Sequence, residues 1–213
     1  MKKKCVIVGA GAYGQVYTRY LSEDYVVAGF FDSDPSLQSK KINGYPVLGN
    51  VDQIHNYMAQ NPDTSIFVPL GDNERRVELL SDFDTRGYSI PSFIHKSVFI
   101  EHDIIYGKAV YILPHTNIMP FTTIGDYCMI SMGVNIAHHV NIHQGCFFSQ
   151  GSNIGASMQI YDQAYCGIGC TVMTGVKSLG TESLIGAGSV VIRDVPDRAI
   201  VVGNPAKILK IRN

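Results

Sequence analysis

The sequence contains no tryptophan, no apolar run of 18 residues and no block of like charges. A membrane-spanning helix needs about 20 consecutive, mostly apolar residues, so none is expected. The formal net charge is −1, whereas proteins that bind nucleic acids or anionic membrane surfaces usually present clustered basic residues. We therefore predict a protein that binds neither nucleic acid nor a membrane.

Cysteine is scarce, and its spacing excludes two common uses. The five cysteines are irregularly spaced and include no C-x-x-C pair, so we expect small buried side chains rather than a disulfide framework or a zinc site. The start, MKKKCVIVGAGAYG, has the charged beginning of a signal peptide, but its apolar stretch is short and runs into glycines. We expect a first β-strand there and a cytoplasmic protein.

Residues 1–90 alternate between strand and helix patterns. Three segments have the composition of buried strands: CVIVGAG (5–11), YVVAGFFDSD (25–34) and TSIFVPLGD (64–72). Two have apolar residues at helical spacing: YGQVYTRYLSE (13–23) and NERRVELLSDFDTRG (73–87). This alternation predicts parallel strands joined by right-handed crossovers, that is, a Rossmann-like α/β domain over residues 1–90.

A six-residue period replaces this pattern in residues 91–213. From Ile94 to Val190 every sixth residue is apolar, with Ser178 as the one exception. The period fits neither an α-helix nor a single strand, and it is typical of a parallel β-helix, in which three hexads form a triangular coil of 18 residues. The repeated apolar residues are expected inside the coils, each covered by its neighbours.

The whole chain resembles one subfamily of hexapeptide-repeat acyltransferases, whose β-helix is left-handed. The features that carry the likeness are the unbroken hexads, the tail IGAGSVVIRDVPDRAIVVGNPAKILK (185–210), the loop VGAGAYG (8–14) and the junction SFIHKSVFI (92–100). The subfamily has a small Rossmann-like domain ahead of the β-helix. It includes nucleotide-4-amino-sugar N-acetyltransferases of the bacillosamine and perosamine type, and sialic-acid O-acetyltransferases.

This resemblance implies a homotrimer that uses acetyl-CoA, with active sites between neighbouring β-helices and a nucleotide-sugar held by the N-terminal domain. The function we predict is N-acetylation of a nucleotide-linked amino sugar, specifically a 4-amino-4,6-dideoxyhexose. Two alternatives stay open: O-acetylation of a sugar such as a sialic acid, and a non-catalytic nucleotide-binding or scaffold protein.

The stretch VNIAHHVNIHQG (134–145) holds three histidines, of which the resemblance singles out His138. Positions 18 apart stack in adjacent coils, and no Cys, Asp or Glu stacks on His138 or His139, so no metal site is expected. The related amino-sugar transferases have their general base at the place of His138, and a neutral imidazole suits proton removal from an acceptor. Some relatives have Glu where this chain has His139. His139 would then contact substrate, or an acid elsewhere would orient His138.

The segment Gly9–Gly14 matches G-x-G-x-x-G between a strand and a helix, and Asp32 ends the next strand. Such a loop presents backbone N–H groups to phosphate. Fewer than 100 residues precede the repeat, too few for a complete dinucleotide fold, so we do not predict NAD. By resemblance, the nucleotide-sugar residues are Gly11, Ala12, Tyr13, Asp32, Ser33, Gly71, Asp72 and Asn73. A tight turn with no ligand is the alternative.

The residues aligned with acetyl-CoA contacts of the relatives lie in the later coils and the tail. They are Phe147, Ile168, Ala187, Gly203, Asn204 and Pro205. Phe147 replaces a histidine that lies near the thioester in a relative, so it would line the channel without a polar contact. His115 and His143 are expected to be solvated corner residues.

Overall fold

The computed structural model of the protein describes residues 2–101 and 104–213. The chain divides between Pro91 and Ser92 into two compact units, which we call the N-terminal unit and the β-helix unit. No helix within the two described ranges is both long and apolar enough to cross a lipid bilayer.

The N-terminal unit is an α/β domain with strand order β3-β4-β2-β1-β5. Its strands are β1 Lys3–Val8, β2 Tyr25–Phe31, β3 Lys41–Ile42, β4 Tyr45–Gly49 and β5 Ser65–Phe67. Its helices are α1 Ala12–Leu21, α2 Ile54–Gln60 and α3 Asn73–Thr85, with 3-10 turns at Pro35–Leu37 and Val51–Gln53. Strand β1 pairs in parallel with β2 and β5, as the alternating pattern predicts, and the short β3–β4 pair is antiparallel.

Three elements of this unit were not predicted from the sequence: β3, β4 and α2. The two strands are short, and Gly44 and Pro46 interrupt their apolar pattern, so the segment has the composition of a loop. The core of the unit is where the pattern is strongest, since Cys5, Val6, Ile7 and Val8 of β1 are all buried. The predicted α/β architecture is confirmed.

The β-helix unit contains three sheets, one for each side of a triangular coil, and all their strand pairs are parallel except the last, β23–β24, in the third sheet. The first sheet contains β7 Phe99–Ile100, β10 Asn117–Ile118, β13 Asn135–Ile136, β16 Asn153–Ile154, β19 Thr171–Val172 and β22 Val190–Val191. The second contains β8 Ile105–Tyr106, β11 Thr123–Ile124, β14 Val140–Ile142, β17 Met158–Ile160 and β20 Ser178–Leu179. The third contains β6 Phe93–Ile94, β9 Tyr111–Ile112, β12 Met129–Ile130, β15 Phe147–Phe148, β18 Tyr165–Cys166, β21 Leu184–Ile185, β23 Ala199–Gly203 and β24 Ala206–Ile211.

From Ile112 to Val172 every repeated apolar residue is buried in the interior of the β-helix, as predicted. Tyr106, predicted to face inward in the first coil, is instead 45% exposed. In the first sheet Ile118 pairs with Ile136 and Ile136 with Ile154, each 18 residues apart, and all three are buried. The residues that alternate with them, Asn117 and Asn135, are exposed on the outer surface. The left-handed parallel β-helix predicted for the second half of the chain is confirmed.

The six-residue period changes phase after Val172, which corrects the prediction of an unbroken repeat. Ile160 pairs with Leu179 rather than Ser178, because the spacing between the buried Val172 and Leu179 is seven residues. From there the buried positions are Leu179, Ile185 and Val191, one residue later than the predicted Ser178, Leu184 and Val190. Ser178 therefore does not occupy one of the inward-facing apolar positions.

Candidate active site

The two adjacent histidines lie at the corner between β13 and β14. His139 has φ +58°, and the equivalent corner residues Phe121 and Ser157 of the neighbouring coils both have φ +61°. A non-glycine residue in this left-handed region costs roughly 1–2 kcal/mol. The corner therefore repeats one strained turn in successive coils.

The coils stack at this corner with the predicted spacing of 18 residues. The backbone N–H of His139 donates to the carbonyl of Pro120 in the coil below at 3.2 Å. The N–H of Ser157 in the coil above donates to the carbonyl of His138 at 3.0 Å. The ring of His139 also lies against Phe121, with 4.8 Å between ring centroids. The backbone on both sides fixes the histidines on the outer surface, where both side chains are exposed.

His138 and His139 contact each other through one ring nitrogen each. Their Nδ1 atoms are 2.9 Å apart, and the ring planes are nearly perpendicular at 87°. A nitrogen–nitrogen distance of this length is a hydrogen bond, so one Nδ1 carries the proton and the other accepts it. Within the described ranges no Asp or Glu forms an ion pair with either ring.

A groove of about 430 Å³ runs along the first sheet up to this corner. Its floor includes a ladder of amide side chains, in which Asn117 donates to Asn135 at 2.8 Å and Asn135 donates to Asn153 at 2.9 Å. Met119 and Met173 are exposed at its side, and Ala137, next to His138, lines its end. The groove thus offers a flat polar floor and apolar walls beside the histidine pair.

Two further histidines of the β-helix unit, His115 and His143, have local contacts. His143 lies on the next corner, where its Nε2 is 3.3 Å from Oε1 of Gln159 and its ring lies 5.0 Å from that of Tyr161. His115 has φ +61°, like His139, and its N–H donates to Ser97 Oγ at 3.1 Å. Neither ring contacts the His138–His139 pair.

Most of the residues predicted to contact acetyl-CoA lie along another corner, between the third and first sheets. Ile168 and Ala187 occupy adjacent coils there and are exposed, and the N–H of Gly188 donates to the Ile168 carbonyl at 2.8 Å. The N–H of Gly203 donates to Ser189 Oγ at 3.0 Å in the same region. The Asn204–Pro205 peptide bond is cis and forms the turn between β23 and β24.

Phe147 does not join that corner. Its ring is buried in the third sheet and stacks on Tyr165, with 4.9 Å between centroids and an interplanar angle of 8°. Within one chain, the first sheet separates the corner of Ile168 and Ala187 from the corner of His138. The predicted residues of the β-helix therefore form two groups rather than one cluster.

In the N-terminal unit, packing requires glycine at one position of the glycine loop, Gly9–Gly14, but not at another. A Cβ on Gly14 would lie 1.8 Å from the carbonyl oxygen of Gly9, so helix α1 packs on the end of β1 only because residue 14 is glycine. Gly11 has an ordinary φ of −68°, and a Cβ there would meet no atom within 4 Å. Packing does not require glycine at position 11, which leaves the loop backbone open to a ligand.

Asp32 supports this loop directly. One carboxylate oxygen accepts the N–H of Ala10 at 2.7 Å, and the other accepts the N–H of Asp34 at 2.8 Å. Ser33, next in the chain, is exposed. Gly11, Ala12 and Tyr13 follow at the start of α1, where the first turn presents backbone N–H groups. Asp32 therefore holds the glycine loop in place as well as lying beside it.

The third predicted segment, Gly71 to Asn73, lies beside the same loop. A Cβ on Gly71 would be 3.5 Å from Cε2 of Tyr13, so the two segments are in van der Waals reach. Asp72 caps α3 by accepting the N–H of Arg75 at 3.0 Å. Asn73 Oδ1 accepts a hydrogen bond from Arg76 Nη2 at 2.8 Å.

Arg76 was not predicted, although a signal for it was available. Its side chain is fully buried, and its Nη1 donates to the carbonyl of Leu70 at 2.6 Å. The buried residues of α3 are Arg76, Leu79, Leu80 and Phe83. They follow the helical spacing of an inward face, so the period alone places Arg76 inside, where a charged side chain needs partners. Through its hydrogen bonds Arg76 stabilises the loop that contains Gly71.

The cysteines do not have the properties of nucleophiles. All five are free and buried. Burial raises the pKa of Cys5 to about 12 and raises the pKa of Cys146 well above its usual value, which disfavours the reactive thiolate. Within residues 2–101 and 104–213 no group of three or more His, Cys, Asp or Glu side chains is placed to hold a metal ion.

A β-helix that follows a small α/β domain in the chain and has an exposed histidine at one corner has the features of hexapeptide-repeat acyltransferases. Residues 4–83 match the family described as the PglD N-terminal domain. Over 145 residues the chain is 31% identical to a Schizosaccharomyces pombe protein that is named an acetyltransferase, covering 66% of this chain and 70% of that protein.

Two solved structures resemble the whole chain. One is a His-to-Ala variant of GDP-perosamine N-acetyltransferase from Caulobacter crescentus in complex with CoA and GDP-perosamine. It is 28% identical, with a TM-score of 0.89 over 97% of each chain. The other is the acetyltransferase domain of PglB from Neisseria gonorrhoeae, 22% identical with a TM-score of 0.85, covering 98% of this chain and 100% of that domain. The chain belongs to the hexapeptide-repeat sugar acetyltransferases.

Proposed function

We propose that the protein transfers the acetyl group of acetyl-CoA to the amino group of a nucleotide-linked amino sugar, specifically a 4-amino-4,6-dideoxyhexose. One observation carries this proposal. The likeness to an N-acetyltransferase that binds CoA and GDP-perosamine extends over 97% of both chains, so it includes both the glycine-loop unit and the β-helix. A likeness restricted to the β-helix would support acyl transfer without indicating the acceptor.

The geometry of His138 suits the role of general base. Its Nδ1 is engaged by His139, which leaves Nε2 as the nitrogen that can take a proton from the acceptor amine. As the amine nitrogen bonds to the acetyl carbon, His138 Nε2 takes the amine proton, the carbon–sulfur bond breaks, and the proton passes on to the departing thiolate. No covalent acyl-enzyme is needed, in keeping with the buried cysteines.

The N-terminal unit would hold the nucleotide diphosphate. The support for this is the open backbone at Gly11, the start of α1 at Ala12, and the neighbouring Gly71. Backbone N–H groups at a helix start favour phosphate oxygens. Asp32, with both carboxylate oxygens already engaged, would contribute mainly by holding the loop, and Ser33, Asp72 and Asn73 would line its edge.

Acetyl-CoA would lie along the corner formed by Ile168, Ala187 and Gly203, and we propose that the enzyme is a homotrimer. Within one chain this corner lies across the first sheet from His138. A neighbouring β-helix packed against that sheet would bring one chain's cofactor corner close to the other chain's histidine pair, and would close the groove over the Asn ladder. The cytoplasmic location stays a prediction from the sequence.

The experiment is an acceptor panel with release of the CoA thiol as readout. The purified chain is incubated with acetyl-CoA and the GDP-, UDP- or dTDP-linked 4-amino-4,6-dideoxyhexoses, and with a sialic acid. Mass spectrometry of the product locates the acetyl group. Acetylation at nitrogen of one nucleotide-sugar supports the proposal. Acetylation at a hydroxyl would replace it with O-transfer, and no thiol release with any acceptor would favour a non-catalytic protein.

A further inference from the structure

We propose that His139 is the positioning residue for His138, and that it acts through its neutral ring in the place where related enzymes have a carboxylate. In this arrangement His139 Nδ1 accepts a hydrogen bond from Nδ1–H of His138. His138 Nε2 then remains unprotonated and faces the acceptor. The inference rests on the proposed function insofar as His138 is the base.

The distance of 2.9 Å between the two Nδ1 atoms allows one proton between them, and this proton has two possible owners. If His139 carries it, the neutral ring of His138 has its other proton on Nε2 and cannot act as a base there. If His138 carries it, Nε2 is free. Catalysis by His138 therefore requires His139 to be the acceptor, with its own proton on Nε2.

The hydrogen bond strengthens as the reaction proceeds. Once His138 takes the amine proton, both of its ring nitrogens are donors, so the direction of the Nδ1–Nδ1 bond is fixed. The bond is then charge-assisted, and such bonds are stronger than neutral ones. An interaction that strengthens towards the transition state accelerates the chemical step rather than only tightening binding. His139 can supply this stabilisation without a negative charge.

The corner holds His139 in the required orientation. Its backbone is fixed at φ +58° and bonded to Pro120, and its ring lies against Phe121. The described corner residues stacked directly below and above are Pro120, Phe121, Ala156 and Ser157, and none of these carries a charge.

This neutral acceptor makes the pair sensitive to acid in a way that a carboxylate is not. A proton added to His139 turns its Nδ1 into a donor, which forces the proton of His138 onto Nε2 and blocks the base. A proton added to His138 blocks it directly. Activity then needs both rings neutral, so one proton added to either ring removes the base.

The test uses three variants that all tolerate the left-handed corner: His139→Asn, His139→Asp and His139→Gly. Asn and Asp place an Oδ1 acceptor where His139 has Nδ1, whereas Gly has none. We expect His139→Gly to lose about 10- to 100-fold in kcat, with Asn and Asp restoring most of it. Glu182→Gly, at a similar φ of +54° on the corner between the second and third sheets, is the matched control and should leave kcat unchanged.

A second readout does not depend on turnover. Nitrogen-15 NMR of the full-length protein labelled at histidine should find His138 protonated at Nδ1 and His139 at Nε2, with His138 losing this preference in His139→Gly. The reverse tautomers, or full activity in His139→Gly, would overturn the inference. The expected tautomers in a protein that acetylates no acceptor would instead overturn the proposed function.

Discussion

The glycine loop of the N-terminal unit and the histidine corner of the β-helix place functional groups in different ways. In the loop, structural and ligand-binding demands fall on neighbouring residues: Gly14 is required by packing, and Gly11 is not. In the β-helix the inner residues alone maintain the coil, and the corner residues vary freely, from Phe121 to His139 to Ser157. A repeat therefore lets chemistry change at one corner while its interior stays the same.

This contrast predicts its largest effect at the histidine corner. His138→Ala should lower kcat by about 100- to 10,000-fold, the usual contribution of a general base, without loss of folded structure, because the side chain is exposed. His143→Ala is the matched control, since the ring of this β-helix histidine lies at another corner, beside Gln159 and Tyr161. The measurement is thiol release with the best acceptor, alongside thermal unfolding. Near-normal turnover in His138→Ala would remove it as the base.

The interior of the β-helix should show the opposite behaviour. Ile118→Ala leaves a cavity in a fully buried coil and should lower the free energy of unfolding by about 2–5 kcal/mol. Asn117→Ala, one residue away on the outer face, should cost no more than about 1 kcal/mol, since it removes one exposed hydrogen bond. Iodoacetamide labelling of the buried Cys128 during urea unfolding follows this unit. Equal effects of the two changes would contradict the assignment of inside and outside.

The sequence specified this inside–outside alternation up to Val172 but not the phase change that follows. The later strands contain pairs of apolar residues, Leu184–Ile185 and Val190–Val191, so either member can satisfy the pattern. Ser178, a polar residue at a predicted inward position, was the one sign of this phase change in the sequence. Its neighbour Leu179 is the buried residue. A change of phase explains the polar Ser178 and the buried Leu179 better than a polar residue in the core would.

The candidate site was predictable as residue positions but not as hydrogen bonds. The 18-residue spacing of the coils places His138 between Pro120 and Ala156. It does not determine the side-chain rotamers that bring the two Nδ1 atoms to 2.9 Å. Likewise the spacing from Gly14 to Asp32 indicates an acid near the loop. The structure adds that this acid accepts the Ala10 N–H. Side-chain contacts of this kind depend on tertiary packing, which a local pattern does not encode.

Two glycines of the loop separate structural from functional demands. Gly14→Ala forces a Cβ into the Gly9 carbonyl and should destabilise the N-terminal unit by about 1–3 kcal/mol or more. Gly11→Ala should change stability by less than about 0.5 kcal/mol. Its methyl group would hold a phosphate away from the loop backbone, which should weaken nucleotide-sugar binding by about tenfold, the loss expected for one hydrogen bond. Helical circular dichroism during unfolding and calorimetry with the nucleotide-sugar measure the two effects. Unchanged affinity in Gly11→Ala would leave the loop as a turn with no ligand.

The smallest expected effect concerns alkaline pH, and it also distinguishes the two units. The Cys5 thiol has a pKa of about 12 in the folded unit because it is buried, against a usual 9.0. Between these values the folded state binds more protons than the unfolded state, so this contribution is complete below pH 9 and is lost as pH rises towards 12. By pH 10 the N-terminal unit should lose about 1.4 kcal/mol from this thiol.

Cys5→Ala should remove the part of the stability loss between pH 8 and pH 10 that the Cys5 thiol causes, whatever the substitution does to stability at pH 8. Cys146→Ala, which removes a buried thiol from the β-helix, should leave it unchanged. The helices of the described chain all lie in the N-terminal unit, so their circular dichroism during urea unfolding reports on that unit. An alkaline loss that persists in Cys5→Ala would mean that another group, such as Tyr25, whose pKa burial also raises, is responsible.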